Sequence, residues 1–201
     1  MLMTNTLDAE KAKVREFAKA ERKRAAAELG RDASVRFADH LLRAVGPQMS
    51  GMVLSGYLEI GDELSVSMAM ERHRANGGQC VLPVVTKAEA PLDFRQWSPG
   101  CEFEDGPFRT RHPVAGSPEL TPQILLVPLL AFDAEGYRIG WGGGFYDRTL
   151  SHLRDRGEVI AVGAAYSAQR VDRVPRDRHD QPLDWVITER EAIQIRRAGQ
   201  R

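Results

Sequence analysis

MVLSGYLEIGDELSVSMAMERHRANGGQCVLPVV, residues 52–85, decides how the rest of the chain is to be read. Residues 52–58 form a short apolar run of the kind that makes a buried strand, and residues 80–85 repeat it. Between them, residues 65–77 are patterned as a helix packed on one side. Strand, helix, strand in that order is the signature of a βαβ unit in a parallel sheet covered on both faces. The apolar runs at 124–130, 158–166 and 184–188 extend that sheet, and residues 145–156 are expected to supply another covering helix.

Upstream, residues 8–29 are rich in Ala, Lys, Arg and Glu, with Val14, Phe17 and a few alanines as their apolar stripe. They read as a first helix with a thin buried face and a strongly basic surface. Gly30 breaks it, and Val35, Phe37, Ala38, Leu41, Leu42 and Val45 mark a second helix that stops at Gly46-Pro47. Between residues 86 and 123, LDFRQW suits a short strand, but six prolines exclude long regular elements. This stretch has too few clustered large apolar residues for a core of its own. It is expected to be an irregular excursion over a cleft within one domain spanning residues 1–201.

A chain of 201 residues supports one well-filled core. Its 42% hydrophobic content, and 28 basic residues balanced by 28 acidic ones, describe a globular protein rather than a disordered or nucleic-acid-coating one. Neutrality still allows an anionic small molecule, which responds to the local arrangement of arginines. Cys80 and Cys101 have no CxxC spacing, which favours a reducing cytoplasm. No apolar run approaches the roughly 20 residues that span a bilayer, and no secretion signal is visible.

The stretch RIGWGGGFYDRTL, residues 138–150, carries the main chemical signal. Backbone N–H groups in a glycine turn just before a helix N-terminus form an anion cradle, and phosphate is the natural guest; a tight structural connection is the alternative. The spacing is neither GxGxxG after a first strand nor a Walker loop. Asp147 suits either Mg²⁺ beside such a phosphate or the first turn of the helix, and Tyr146 either lines a ligand or packs. Lys11 and Arg15, at i and i+4, present two cations on one helix face, either as a polyphosphate clamp or as solvated surface; Arg22 and Lys23 lie farther along. After the first strand, Glu59, Asp62 and Glu63 fall where open α/β sheets gather ligands, although Glu63 also suits a helix cap. His179-Asp180 reads as structural hydrogen bonding. The sequence contains no HExxH, no GxSxG elbow and no cysteine with a local activating partner.

Taken together, ILLVPLLAFDAEGYRIGWGGGFYDRTL, KAKVR, YLEIGDELS, LPVV, LDFRQW and HDQPLDWVITE resemble the 5-formyltetrahydrofolate cyclo-ligase family, in the family's order, from Lys11 to Glu189. The resemblance implies an α/β three-layer sandwich with a mostly parallel central sheet, like ribose-phosphate isomerase and coenzyme A transferase domains. It implies ATP as co-substrate and Mg²⁺ as metal. Lys11 and Arg15 would contact the ATP phosphates, and Gly140, Gly142, Gly143 and Gly144 would wrap them, with Arg138, Trp141, Phe145, Tyr146 and Asp147 completing the nucleotide site. Asp147 would hold the metal. Tyr57, Glu63, Trp97 and Tyr146 would face the folate, and Lys11, Arg15, Glu63 and Tyr146 would form the catalytic set.

The implied reaction closes 5-formyltetrahydrofolate to 5,10-methenyltetrahydrofolate through a phosphorylated formyl intermediate, releasing ADP and phosphate. The expected partners are these small molecules, with no nucleic acid or membrane; a monomer is expected, with a homodimer as the alternative. Departures from the family pattern fall at Trp141, at Asp177, and at Arg109, Thr110 and His112, which bear on pocket shape and folate specificity. Two other functions are weighed against this one: a paralogue using ATP on another substrate, and a folate-binding protein without turnover.

Overall fold

Alternate residues of a strand point to opposite faces, so strands buried on both sides build two cores with one sheet between them. The computed structural model describes residues 2–196, with the side chains of residues 2–5 and of Arg109 outside that description. Along the chain run α1 (Leu2–Ala44), β1 (Val53–Ser55), α2 (Ser67–Ala75), β2 (Gln79–Val84), β3 (Asp93–Trp97), β4 (Phe103–Asp105) and β5 (Arg111–Pro113). They are followed by β6 (Ile124–Pro128), β7 (Ala131–Phe132), β8 (Arg138–Ile139), α3 (Phe145–Arg154), β9 (Ile160–Ala164), β10 (Trp185–Ile187) and β11 (Ala192–Gln194).

Among the described residues, seven strands form one sheet in the order β11-β10-β9-β6-β1-β2-β3, while β4–β5 and β7–β8 are separate two-stranded ladders. The strands from β10 to β2 are parallel; β3 and β11 run antiparallel at the two edges. Leu54, Leu82, Ile124, Leu126 and Val162 pack on one face against Phe37 and Leu41 of α1 and Met70 of α2. Their neighbours Val53, Val81, Leu125, Val127 and Ala161 pack on the other face against Leu150 and Leu153 of α3. The expected α/β architecture, helices on both faces of a mostly parallel sheet, is therefore the one the chain adopts. Truncating one of these buried leucines to alanine costs about 2–5 kcal/mol.

Gly30 interrupts α1 with φ 53 and ψ −141, a conformation that side chains other than glycine's resist. The N-terminal segment of α1 buries Val14 and Ala18 against Leu130, Ala131 and Ile139, which seats it on the β7–β8 hairpin. Phe17 corrects the apolar stripe expected from sequence: it is 58% exposed, because one residue's rotation carries it off the Val14–Ala18 face. The excursion after β2 sends β3 back along β2, then forms the β4–β5 hairpin, whose tip residue Phe108 meets Phe145 edge to face at 5.8 Å.

In chain order the five parallel strands lie 2-1-3-4-5 across the sheet, so the chain winds away from β1 in both directions. The crevice outside the carboxyl ends of β1 and β6 is the switch point where such sheets take ligands. The segments after those two strands, residues 56–66 and 129–144, carry the chemically marked residues. Among the described residues, no helix is long and apolar enough to cross a membrane.

Candidate active site

The glycine stretch leaves β8 and enters α3 directly. Gly142 (φ +101) and Gly144 (φ +65) adopt left-handed conformations, and Gly144 is the N-cap residue of α3. Arg15 Nε donates to Gly140 O at 3.0 Å, and Arg148 Nη2 donates to Gly143 O at 2.7 Å. The carbonyls are tied back in this way, while among the described residues no backbone N–H from Trp141 to Gly144 donates a hydrogen bond. Unengaged N–H groups at a helix N-terminus are the physical basis of an anion cradle.

Behind this loop, Arg138 is buried and donates from Nη2 to Asp147 Oδ1 at 2.8 Å and from Nη1 to Gln181 O. Gln181 N donates to the same Asp147 oxygen at 2.9 Å. Lys11 Nζ lies between Asp180 Oδ2 at 2.7 Å and Asp177 Oδ2 at 3.1 Å. Asp180 Oδ2 also accepts Asp177 N, and Asp177 Oδ1 accepts His179 N, which folds the 177–181 turn around the ammonium. Burial acts against the charge on Lys11, but the hydrogen bonds it donates to Asp180 and Asp177 outweigh that and raise the Lys11 pKa. The His179 N–H, followed by Lys11, lowers that of Asp177 against its own desolvation.

On the β1 side, Glu63 is buried; its Oε2 accepts Ile60 N and its Oε1 accepts Trp141 Nε1–H, both at 2.9 Å. α2 begins only at Ser67, so Glu63 does not cap it, and that alternative reading of the sequence falls away. Tyr57 is buried and its phenol donates to Leu64 O at 2.6 Å. Burial, then the charge of Glu63, pushes the Tyr57 phenol well up, and the same two causes raise Tyr146. Both phenols therefore stay protonated through the physiological range, and that of Tyr57 serves as a donor to Leu64 O.

Four distant stretches thus meet at the carboxyl edge of the sheet: residues 11–22, 57–63, 138–148 and 177–181. Lys11, Arg15, Tyr57, Glu63, Arg138, Gly140 to Asp147 and Asp180 all belong to that convergence. Trp97 does not. It pairs with Cys80 at the amino end of β2, on the antiparallel strand β3 and away from the carboxyl edge where the others gather. Thr110 donates to Pro107 O within the β4–β5 hairpin, and His112 lies near Glu104 of that hairpin and Arg95 of β3; the side chain of Arg109 lies outside the described residues.

In sequence Arg22 stands out only as part of a second basic pair farther along the first helix; in the structure it ion-pairs with Glu63 (Nη1 to Oε1 3.5 Å) and lies under the Trp141 ring. A signal was available, because 11, 15, 18, 22 and 25 follow the 4-3-4-3 spacing of a single helix face. The structural role of Asp133 was equally hidden: buried, it accepts N–H groups from Glu135, Tyr137 and Val174 and so holds the β7–β8 turn. Among the described residues there is no cluster of three or more His, Cys, Asp or Glu side chains able to hold a metal.

Fold and site define an α/β protein that gathers cations and a glycine-rich helix N-terminus at a topological switch point, the arrangement of a phosphate-binding enzyme domain. The sequence profile of the 5-formyltetrahydrofolate cyclo-ligase family matches residues 7–189. The chain belongs to that family. It is similar to the 5-formyltetrahydrofolate cyclo-ligases of Mycolicibacterium smegmatis (31% identical, covering 74% of this chain and 79% of that protein) and Escherichia coli (30%, covering 80% and 88%). Among solved structures it resembles 5,10-methenyltetrahydrofolate synthetase of Aquifex aeolicus, with TM-score 0.76, 28% identity and 95% of each chain covered. The Mycoplasma pneumoniae synthetase, at 21% identity and TM-score 0.67 over 90% of this chain and 99% of that one, shares the fold.

Proposed function

We propose that this protein uses ATP to cyclise 5-formyltetrahydrofolate to 5,10-methenyltetrahydrofolate. Family membership supports the reaction, and the observation that carries the site assignment is the meeting of Lys11, Arg15 and the glycine loop with Glu63 across the β1/β6 crevice. The formyl oxygen attacks the γ-phosphorus and the β,γ-bridging bond breaks, so that ADP leaves and the oxygen becomes part of a phosphate ester. N10 then attacks the activated formyl carbon and loses its proton. The C–O bond breaks, phosphate leaves with that electron pair, and the 5,10-methenyl ring remains.

These steps need position and charge compensation rather than a protein nucleophile. Arg15 and the N–H groups of 141–144 would hold the phosphates, and Lys11 would reach them from between Asp177 and Asp180. Glu63 would take the pterin, with Tyr57 beneath it and the protonated Tyr146 bordering both ligands. Asp147 would hold the expected Mg²⁺ through its second carboxylate oxygen, since Oδ1 accepts from Arg138 and Gln181 N and hard cations prefer carboxylate oxygen. When bound, Mg²⁺ supplies neutralisation of the polyphosphate charge.

The parallel core covered on both faces supports the expected likeness to ribose-phosphate isomerase and coenzyme A transferase domains. The joining of β3 to the main sheet supports a single domain, which one cooperative unfolding transition would test. Unpaired Cys80 and Cys101 support a cytoplasmic location. The decisive assay follows methenyltetrahydrofolate absorbance with Mg·ATP and 5-formyltetrahydrofolate. Stoichiometric product and ADP are expected; ATP consumption without methenyl product would assign the site to another substrate.

A further inference from the structure

Arg22 is buried to 4% exposure, yet among the described residues neither its Nε nor its Nη1 has a hydrogen-bond partner. A guanidinium withdrawn from water in this state is strongly disfavoured unless something else compensates it. Two neighbours do so in part. Glu63 Oε1 lies 3.5 Å from Nη1, and the Trp141 ring covers the guanidinium with its centroid 5.1 Å from Cζ.

Trp141 is itself 54% exposed, and its Nε1–H donates to that same Glu63 oxygen at 2.9 Å. It sits between Gly140 and Gly142, on the stretch of chain most able to change direction. Arg22, Trp141, Lys19, Ile60, Gly61 and Asp62 line a cleft of about 390 Å³ between α1 and the turn after β1. The Glu63–Arg22 pair therefore already receives a flat bicyclic heteroaromatic ring from within the chain, with a ring N–H on the carboxylate and a π-face on the guanidinium.

A pterin has the same shape and a fuller set of polar groups. Its 2-amino and N3–H donors adjoin a 4-oxo acceptor on one edge. A carboxylate beside a guanidinium complements that edge group by group, with acceptor oxygens for the two donors and unengaged N–H groups for the oxo oxygen. We propose that Arg22 is a substrate-binding residue which, with Glu63, reads the amide edge of the pterin, and that the Trp141 indole holds this place until the pterin displaces it. The inference rests on the folate reading of the site and adds to it the residue that recognises the 4-oxo group.

Calorimetric titration of the full chain with 5-formyltetrahydrofolate, with ATP and with a 4-amino pterin analogue bearing the same tail tests this. Loss of a hydrogen bond to a charged group predicts that Arg22→Met weakens 5-formyltetrahydrofolate binding by about 10- to 100-fold. ATP affinity should hold, and the preference for the 4-oxo over the 4-amino ligand should disappear. Arg22→Lys should restore part of both. Trp141→Phe, which removes the competing N–H at an exposed position, should tighten folate binding. Unchanged folate affinity and unchanged oxo/amino preference in Arg22→Met, or equal weakening of folate and ATP, would overturn the assignment. If Arg22→Met does not fold, Arg22→Lys and Trp141→Phe decide, and wild-type affinity in both overturns it. A wild-type protein that binds no 5-formyltetrahydrofolate would refute the folate reading itself, an outcome visible before any variant is made.

Discussion

Replacing Gly142 by alanine separates a phosphate-cradling loop from a plain connection. The residue sits at φ +101, where an added Cβ would lie 3.3 Å from Arg15 Nη2 and 3.6 Å from its Cζ. Arg15 is a flexible side chain and yields by tenths of an ångström, so the backbone conformation dominates. A non-glycine residue held in such a region costs about 1–3 kcal/mol. For a chain of this size about 2–4 °C of melting temperature corresponds to each kcal/mol, so a fall of about 2–12 °C is expected, the upper part only if the loop cannot relax. Relaxation would move the 141–144 amides and the Arg15–Gly140 contact. Loss of one hydrogen bond to a charged phosphate then weakens ATP binding by about 10- to 100-fold. Gly157→Ala is the matched control: it lies outside the loop, its φ is not positive and its Cβ would meet nothing within 4 Å, so both quantities should stay near wild type. Thermal melts and ATP calorimetry read the pair. Identical melting temperatures and ATP affinities for the two variants would refute the reasoning.

Other perturbations address the rest of the site. The Lys11 pKa is raised above 10.5, so its contribution to stability is complete below that value and fades as pH climbs through the folded value; Asp177 is lowered below 3.8, so its contribution is complete above 3.8 and fades as pH falls through the folded value. Asp177→Asn should therefore lower stability at neutral pH by less than about 1 kcal/mol, because the carboxylate is well exposed, and the resulting difference in melting temperature should vanish in acid; a difference that grows in acid would contradict the clamp. Asp147→Asn should raise the Mg²⁺ concentration needed for half-maximal turnover, and an unaltered Mg²⁺ titration would remove Asp147 from the metal assignment. Asp133→Ala removes the acceptor of three N–H groups, of which that of Val174 is buried and costs about 1–3 kcal/mol when nothing replaces it, so a loss in denaturant stability is expected with ATP affinity per folded molecule little changed.

Much of the fold was legible because its signals are local. The apolar runs at 52–58, 80–85, 124–130 and 158–166 alternate with helical patterns, and a βαβ succession leaves few arrangements open. Gly30 and the glycines before Phe145 mark a break and a helix start because few other residues tolerate those angles. Strand order was not legible, nor was the reversal of β3 and β11 at the sheet edges, because pairing partners are chosen by packing across the whole domain. Trp97 illustrates the consequence: only the antiparallel register shows that it pairs with Cys80 at the amino end of β2, apart from the other residues the resemblance implies.

By itself, then, the sequence determined the three helical regions and the central strands of the sheet but not the short ladders β4–β5 and β7–β8 or the edge strand β11; it also determined which family the chain resembles and which residue types crowd the glycine loop, since each depends on neighbours a few positions apart. Only the tertiary structure decided that Lys11 lies between Asp177 and Asp180, 166 and 169 positions away, and that Arg22, Glu63 and Trp141 form one charged and aromatic cluster. Those contacts exist because the sheet carries the ends of β1 and β6 to one edge and α1 is seated across them through Val14 and Ala18. No spacing along the chain encodes that meeting; it follows from burying both faces of the sheet at once.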